Sequence, residues 1–160
     1  MRRVTIDQGN LRFSAAHFIS MAGKCERLHG HNYAVSVTLE GELTGDRYVF
    51  DFVALKRMTK ELCDILDHRF LLPMKSDCIS MREDGGEVEV RFKDRRYVFP
   101  ERDVLRLPLD NITAERLAEH LADELADRLK GNANIARIEV GVEEAPGQTA
   151  YYARPLEQNG

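Results

Sequence analysis

Between Tyr33 and Glu40 apolar and polar residues alternate, with Tyr33, Val35, Val37 and Leu39 on one side and Ala34, Ser36, Thr38 and Glu40 on the other. A period of two puts one set on a core and the other toward solvent, so the stretch predicts a half-buried strand. Leu11 to His17 reads as an earlier strand, and Ile19 to Leu28, with Gly23 and Cys25, as a loop. Thr44-Gly45-Asp46-Arg47 predicts a turn into a short strand, Tyr48-Val49-Phe50. From about Phe52 to Leu66 the period changes: Leu55, Met58, Leu62 and Leu66 recur at helical spacing and predict an amphipathic helix. Beyond Asp84-Gly85-Gly86, the runs Glu87–Phe92 and Arg96–Phe99 predict a hairpin about Lys93-Asp94-Arg95. Leu117, Leu121, Leu125 and Leu129 stripe a second helix, about Ala114 to Lys130, with Thr113 as N-cap and Gly131 as stop. Ile138, Val140 and Val142 mark a strand over Ile135 to Val142, and Thr149 to Ala153 a short last one. The order of strands, helix, hairpin, helix and strands predicts an α+β fold with an antiparallel sheet.

Composition narrows the function classes. A chain of 160 residues, with 43% hydrophobic and 31% charged residues, has the size and balance of one globular domain over residues 1–160. Its net charge of −4 offers no global field for nucleic acid, so no nucleic-acid partner is expected. No apolar run is long enough for a membrane span, and the start, Met1-Arg2-Arg3-Val4, lacks a signal-peptide pattern. The expectation is a cytoplasmic protein with no membrane partner. Three cysteines, Cys25, Cys63 and Cys78, are too few and too odd for a disulfide scaffold. Cys63 adjoins the first helical stripe and reads as a buried thiol; Cys78 lies in a loose stretch.

The histidines carry the chemistry. His29 and His31, two apart at the start of a strand, point to one face, and His17 ends the neighbouring strand. Three imidazoles would leave one position of a catalytic zinc open. Cys25, four residues before His29, is either a fourth ligand closing a structural site or a free thiol near the metal. Asp67-His68 is either an acid/base dyad or an ordinary helix end where a histidine suits the dipole. Glu143 and Glu144 end a strand facing opposite ways; Glu144 continues the apolar face and could pair with a guanidine-like ligand edge. His120 and Glu119 need no function.

Phe13-Ser14-Ala15-Ala16-His17, Cys25-Glu26-Arg27-Leu28-His29-Gly30-His31-Asn32-Tyr33, Asp51-Phe52, Leu66-Asp67-His68 and Thr113-Ala114-Glu115 occur in that order. With these motifs the chain resembles the 6-pyruvoyl-tetrahydropterin synthase / 6-carboxy-tetrahydropterin synthase family over almost its whole length. The resemblance implies the tunnelling fold (T-fold): an antiparallel four-stranded sheet backed by two helices. It also implies a homo-oligomer built from trimers, a hexamer, with active sites between subunits. His17, His29 and His31 match zinc ligands; Cys25 matches a catalytic base, and Asp67 and His68 its partner dyad. Glu144 matches the glutamate that anchors the pterin ring, and Thr113 lies in the pterin-pocket segment. The implied substrate is 7,8-dihydroneopterin triphosphate. The Cys-x3-His-Gly-His spacing looks more like the 6-carboxy-tetrahydropterin synthases of the queuosine pathway, which release acetaldehyde and triphosphate, than like the pyruvoyl type.

This chain departs from the pattern in three places. Residues 74–110 form a longer connection that holds the extra hairpin; Ala145 stands where a threonine is usual; and Ile112-Thr113 replaces Pro-Thr. A 6-pyruvoyl-tetrahydropterin synthase and a dihydroneopterin aldolase-like paralogue are the alternatives, and these changes leave the second open. Lys24 and Arg27, beside the site, are candidates for triphosphate contacts.

Overall fold

The structure is a computed structural model and describes residues 1–7 and 9–156. Strand β1 (Arg2–Ile6) is followed by β2 (Arg12–His17), the small pair β3 (Ser20–Met21) and β4 (Lys24–Cys25), and the long β5 (His29–Gly41). Helix α1 (Phe52–Leu66) leads into β6 (Arg69–Pro73), then β7 (Ser80–Asp84), β8 (Glu87–Phe92), β9 (Arg95–Pro100) and β10 (Val104–Leu107). Helix α2 (Ala114–Arg128), β11 (Ile135–Ala145) and β12 (Gln148–Pro155) complete the order.

The alternation of β5 becomes the spine of the molecule. Its 13 residues hold β2 along the first half and β1 along the second, with His17 opposite His29 and Ile6 opposite Val37. β11 covers its other edge, and β12 pairs outside β11. β2, β5, β11 and β12 are thus the expected four antiparallel neighbours. The sheet continues past β2 into β6 and β10, which run parallel, so the whole is a mixed seven-stranded sheet in an α+β fold.

Both helices lie on the face carrying Tyr33, Val35, Val37 and Leu39. Asp51 caps α1 by accepting the Val53 N–H at 2.9 Å, and Leu55, Leu62 and Leu66 go into the core. Thr113 caps α2 through the Arg116 N–H, and Leu117, Leu121 and Leu125 pack beside them. The α2 helix ends at Arg128, slightly before the expected Lys130, and Gly131 takes φ +92° just beyond.

Outside the small β3–β4 pair, four strands, β1, β6, β7 and β10, are not among the elements expected from the sequence. β6 explains why: Leu71 enters the core beneath the helices, while Phe70 and Leu72 enter a second core with Phe18, Cys25, Val88, Val90, Phe92 and Val104. A strand buried on both faces has no alternation to read. The expected hairpin of residues 87–99 is present as β8 and β9, and β7 makes it a separate three-stranded sheet that closes the second core.

Two local expectations are corrected. Tyr48-Val49-Phe50 is not a strand; the Val49 carbonyl accepts the Asn134 side chain at 2.8 Å, and the Tyr48 carbonyl accepts the Thr44 N–H, so neither joins a ladder. The loop from Ile19 to Leu28 contains the β3–β4 hairpin, turning through Ala22 and Gly23, both at positive φ. Among the described residues no helix is long and apolar enough to cross a membrane.

Candidate functional site

Strand register builds the centre of the site. His17 lies directly across from His29, and His31 directly across from the small Ala15, so three imidazoles share the end of the helix-covered face. Gly30 between them is required by close approach: a Cβ there would meet the Ala15 carbonyl oxygen at 2.9 Å. One ligand-type nitrogen from each of His17, His29 and His31 lies within 4.8 Å of the other two, a group that could hold a metal ion.

Backbone carbonyls fix the state of two rings. His17 Nδ1 is 2.8 Å from the Ile112 carbonyl oxygen, and His29 Nδ1 is 2.7 Å from that of Arg27. A carbonyl only accepts, so each Nδ1 carries a proton, and Nε2 is the atom that a neutral ring offers as a lone pair. Those two Nε2 atoms stand 3.1 Å apart. Two facing lone pairs repel unless a proton or a cation lies between them. Burial discourages the proton: it lowers the His17 pKa to about 4, against the help of the Ile112 carbonyl and with the neighbouring His29 and His31 adding to the depression. His31 Nε2 is buried and makes no hydrogen bond, with Glu144 Oε1 3.5 Å away. Nitrogens bound to one tetrahedral zinc at 2.0–2.1 Å would be about 3.3 Å apart. Two Nδ1–H groups held by backbone carbonyls, three converging ligand nitrogens and an orphaned buried nitrogen fit a divalent metal.

The group that could hold a metal ion consists of His17, His29 and His31 and does not include Cys25. Its side chain sits in the second core, its thiol pushed up by burial with Arg95 opposing. Asp67 and His68 follow α1 as a formed pair. Asp67 Oδ1 accepts the Ser14 N–H at 2.7 Å, and Oδ2 is 2.8 Å from His68 Nδ1. The Ser14 hydrogen bond, helped by His68, holds the Asp67 carboxyl below its ordinary range. His68 has φ +56°, and its side chain is 82% exposed. It borders a cavity of about 480 Å³ walled by Ser14, Ala16, Gly30, Asn32 and Phe99. Of its β2 and β5 lining, Ser14, Ala16, Gly30 and Asn32 alternate with the histidines, while Ala15 and His31 share the histidines' face, so the cavity reaches from His68 to one of the three imidazoles.

Glu144 falls where the pairing of β11 with β12 shifts register, between Glu143 and Ala145. It lines a cavity of about 340 Å³ together with Thr113, Glu115, Ile19, Met21 and Thr149. Glu143, expected at a solvated strand end, is half-buried beside Thr149 and faces a different depression that includes Arg12. Lys24 and Arg27 are exposed. The sequence reading missed Glu115, which the Thr113-Ala114-Glu115 motif contains, and Arg95, whose link to Cys25 spans 70 residues and leaves no local signal.

Comparison with known proteins places this geometry. Residues 8–155 match the family model described as 6-pyruvoyl tetrahydropterin synthase. A Methanocaldococcus jannaschii protein provisionally named 6-carboxy-5,6,7,8-tetrahydropterin synthase is 41% identical over 150 residues, 92% of each chain. The 6-carboxy-5,6,7,8-tetrahydropterin synthase of Bacillus subtilis is 42% identical over 109 residues, 66% of this chain and 63% of that one. Among solved structures, the 6-pyruvoyl tetrahydropterin synthase of Plasmodium falciparum superposes with a TM-score of 0.92 at 34% identity, over 97% of this chain and 98% of that one. With a family model spanning nearly all of its length, the chain belongs to the 6-pyruvoyl tetrahydropterin synthase family.

Proposed function

We propose that this protein is a zinc-dependent pterin lyase that converts 7,8-dihydroneopterin triphosphate and one water to 6-carboxy-5,6,7,8-tetrahydropterin, acetaldehyde and triphosphate, a step of 7-deazapurine synthesis. The observation that carries this reading is the convergence of the His17, His29 and His31 nitrogens next to Glu144, which lines a cavity with Thr113. The relatives named 6-carboxy-5,6,7,8-tetrahydropterin synthase support the choice of product.

In this reading Glu144 accepts two N–H donors from the aminopyrimidinone edge of the pterin, a charge-assisted pairing that fixes the ring. Thr113, whose Oγ1 already accepts the Arg116 N–H, keeps its hydroxyl proton free to donate to the same ring. This orients the C6 side chain toward His17, His29 and His31. A bound zinc supplies Lewis-acid polarisation of a side-chain oxygen and so acidifies the neighbouring C–H and O–H bonds. Cys25 takes a proton as base. His68, its Nδ1 held by Asp67, presents Nε2 to move a proton on the other side.

Four of the six β2 and β5 residues lining the cavity beside His68 alternate with the metal ligands, and His68 itself is largely exposed, which supports a working site completed between copies of the chain. The reading therefore includes a homo-oligomer, trimer-based and assembling to a hexamer, in the cytoplasm.

A Cys25→Ala variant tests the reading. Full zinc content with turnover of 7,8-dihydroneopterin triphosphate lost by about 100-fold or more is the expected result for removal of a base. Loss of zinc together with unfolding would instead favour a structural centre that includes the thiol.

A further inference from the structure

We propose that the three-stranded sheet β7–β8–β9 is a working part of the active site, and that Arg95 at the start of β9 is a positioning residue that fixes the Cys25 thiol. The inference rests on the reading of Cys25 as the base.

The segment around Cys25 has little of its own to hold it. β3 and β4 pair over only two residues each, Ser20 with Cys25 and Met21 with Lys24. A ladder that short is not stable alone. The missing restraint comes from across the molecule. One Arg95 guanidinium nitrogen donates to the Cys25 carbonyl at 2.9 Å and to the Glu26 carbonyl at 3.1 Å. Lys93, in the same β8–β9 turn, donates to the Gly23 carbonyl at 2.7 Å. Three consecutive-region carbonyls, of Gly23, Cys25 and Glu26, are therefore tied to one turn of the separate sheet.

Aromatic packing holds the same two parts together. Tyr97 of β9 stacks on Phe18, the residue after the ligand His17, with ring centroids 5.3 Å apart. Phe99 stacks on Phe70 at 4.3 Å. Cys25 belongs to one buried cluster with Phe18, Phe70, Leu72 and Val104 and, from the separate sheet, Val88, Val90 and Phe92. Burial there works against ionising the thiol, as does the proximity of Glu26 and Cys78, and Arg95 is the cation acting against them. A planar guanidinium bridging two successive carbonyls fixes orientation in a way that a lysine ammonium does not.

The test uses zinc-loaded full-length protein and the variants Arg95→Met, Arg95→Lys and Cys25→Ala, with kcat, KM and bound zinc measured on 7,8-dihydroneopterin triphosphate. Arg95→Met is expected to lower kcat by about 10- to 100-fold, the scale of a misplaced reacting group, with KM within about 2-fold and zinc unchanged. Arg95→Lys, retaining the charge and one donor, is expected to recover part of that loss. Wild-type kcat in Arg95→Met overturns the proposal, and so does a loss matched by lost zinc or raised KM in Arg95→Lys, which marks a merely structural role. If Arg95→Met does not fold, Arg95→Lys decides: a lowered kcat with zinc and KM kept supports the proposal, and wild-type kcat overturns it. Turnover surviving in Cys25→Ala overturns the underlying assignment of the base, whatever the Arg95 variants do.

Discussion

His17 Nε2 and His29 Nε2 face each other at 3.1 Å while the proton on each ring is committed to a backbone carbonyl on the far side. The pairing is unfavourable for two neutral rings on their own and favourable once a cation sits between them. It gives the site a direction: the Nδ1 protons are taken by the Ile112 and Arg27 carbonyls, which leaves the Nε2 atoms for the group shared with His31.

Removing one of the three rings is therefore expected to abolish tight metal binding while leaving the fold. In His29→Ala, zinc affinity measured by chelator competition should fall by at least about 100-fold, the scale seen when a site loses a ligand or its supporting partner. Unchanged stoichiometry and affinity would mean that the metal binds elsewhere.

Gly30→Ala probes the same centre through the backbone. The added Cβ would meet the Ala15 carbonyl oxygen at 2.9 Å, and backbone on both sides has little room to yield. A destabilisation of about 1–3 kcal/mol in denaturant melts is expected for overpacking, together with weaker zinc binding because β2 and β5 carry the ligands. Wild-type behaviour in both measurements would show that the strands adjust freely.

Asp67 sets an acid dependence. Its folded pKa lies below the ordinary 3.8 because the carboxylate accepts the Ser14 N–H and pairs with His68. The unfolded chain therefore takes up the proton first. The stabilising contribution is fully present above the unfolded value and is lost as pH falls through the lower folded one. Asp67→Asn should flatten the acid limb of stability against pH and leave the neutral region less affected, as measured by chemical unfolding across pH 2–7. An acid limb identical to wild type would contradict the contact.

Cys78 and Cys63 should separate in reactivity. Cys78 is exposed, whereas Cys63 is fully buried and its pKa is pushed up to about 12, chiefly by that burial. Iodoacetamide at pH 8, followed by peptide mass spectrometry, should label Cys78 first and Cys63 only on unfolding. Early labelling of Cys63 would show that α1 opens from the core.

Much of this site was legible because its parts are local. The interval from Cys25 to His29-Gly30-His31 lies in one short segment, and strand alternation was enough to put His29 and His31 on one face. The helices were legible for the same reason, through the Leu stripes and the caps Asp51 and Thr113. What stayed hidden depends on distant partners. Leu71 and its neighbours Phe70 and Leu72 serve two cores, so β6 shows an unbroken apolar run instead of a period. Tyr48-Val49-Phe50 has strand-like residues, yet its carbonyls go to Asn134 and Thr44. Arg95 looked like an ordinary turn residue, and only the folded chain brings it to the Cys25 carbonyl.

Destroying the second core should show how far the separate sheet supports the rest. Val90 is fully buried against Phe18 and Cys25's cluster, and Val90→Ala is expected to cost about 1–3 kcal/mol in thermal or denaturant unfolding. A cost near zero would mean that β7–β8–β9 packs too loosely to hold anything.

The central claim, a histidine-held zinc that drives pterin side-chain cleavage, is met most directly by identifying the products. Zinc-loaded protein incubated with 7,8-dihydroneopterin triphosphate should yield 6-carboxy-5,6,7,8-tetrahydropterin and acetaldehyde in equal amounts by mass spectrometry. A 6-pyruvoyl product, an aldolase product, or unchanged substrate with zinc verified as bound would contradict it.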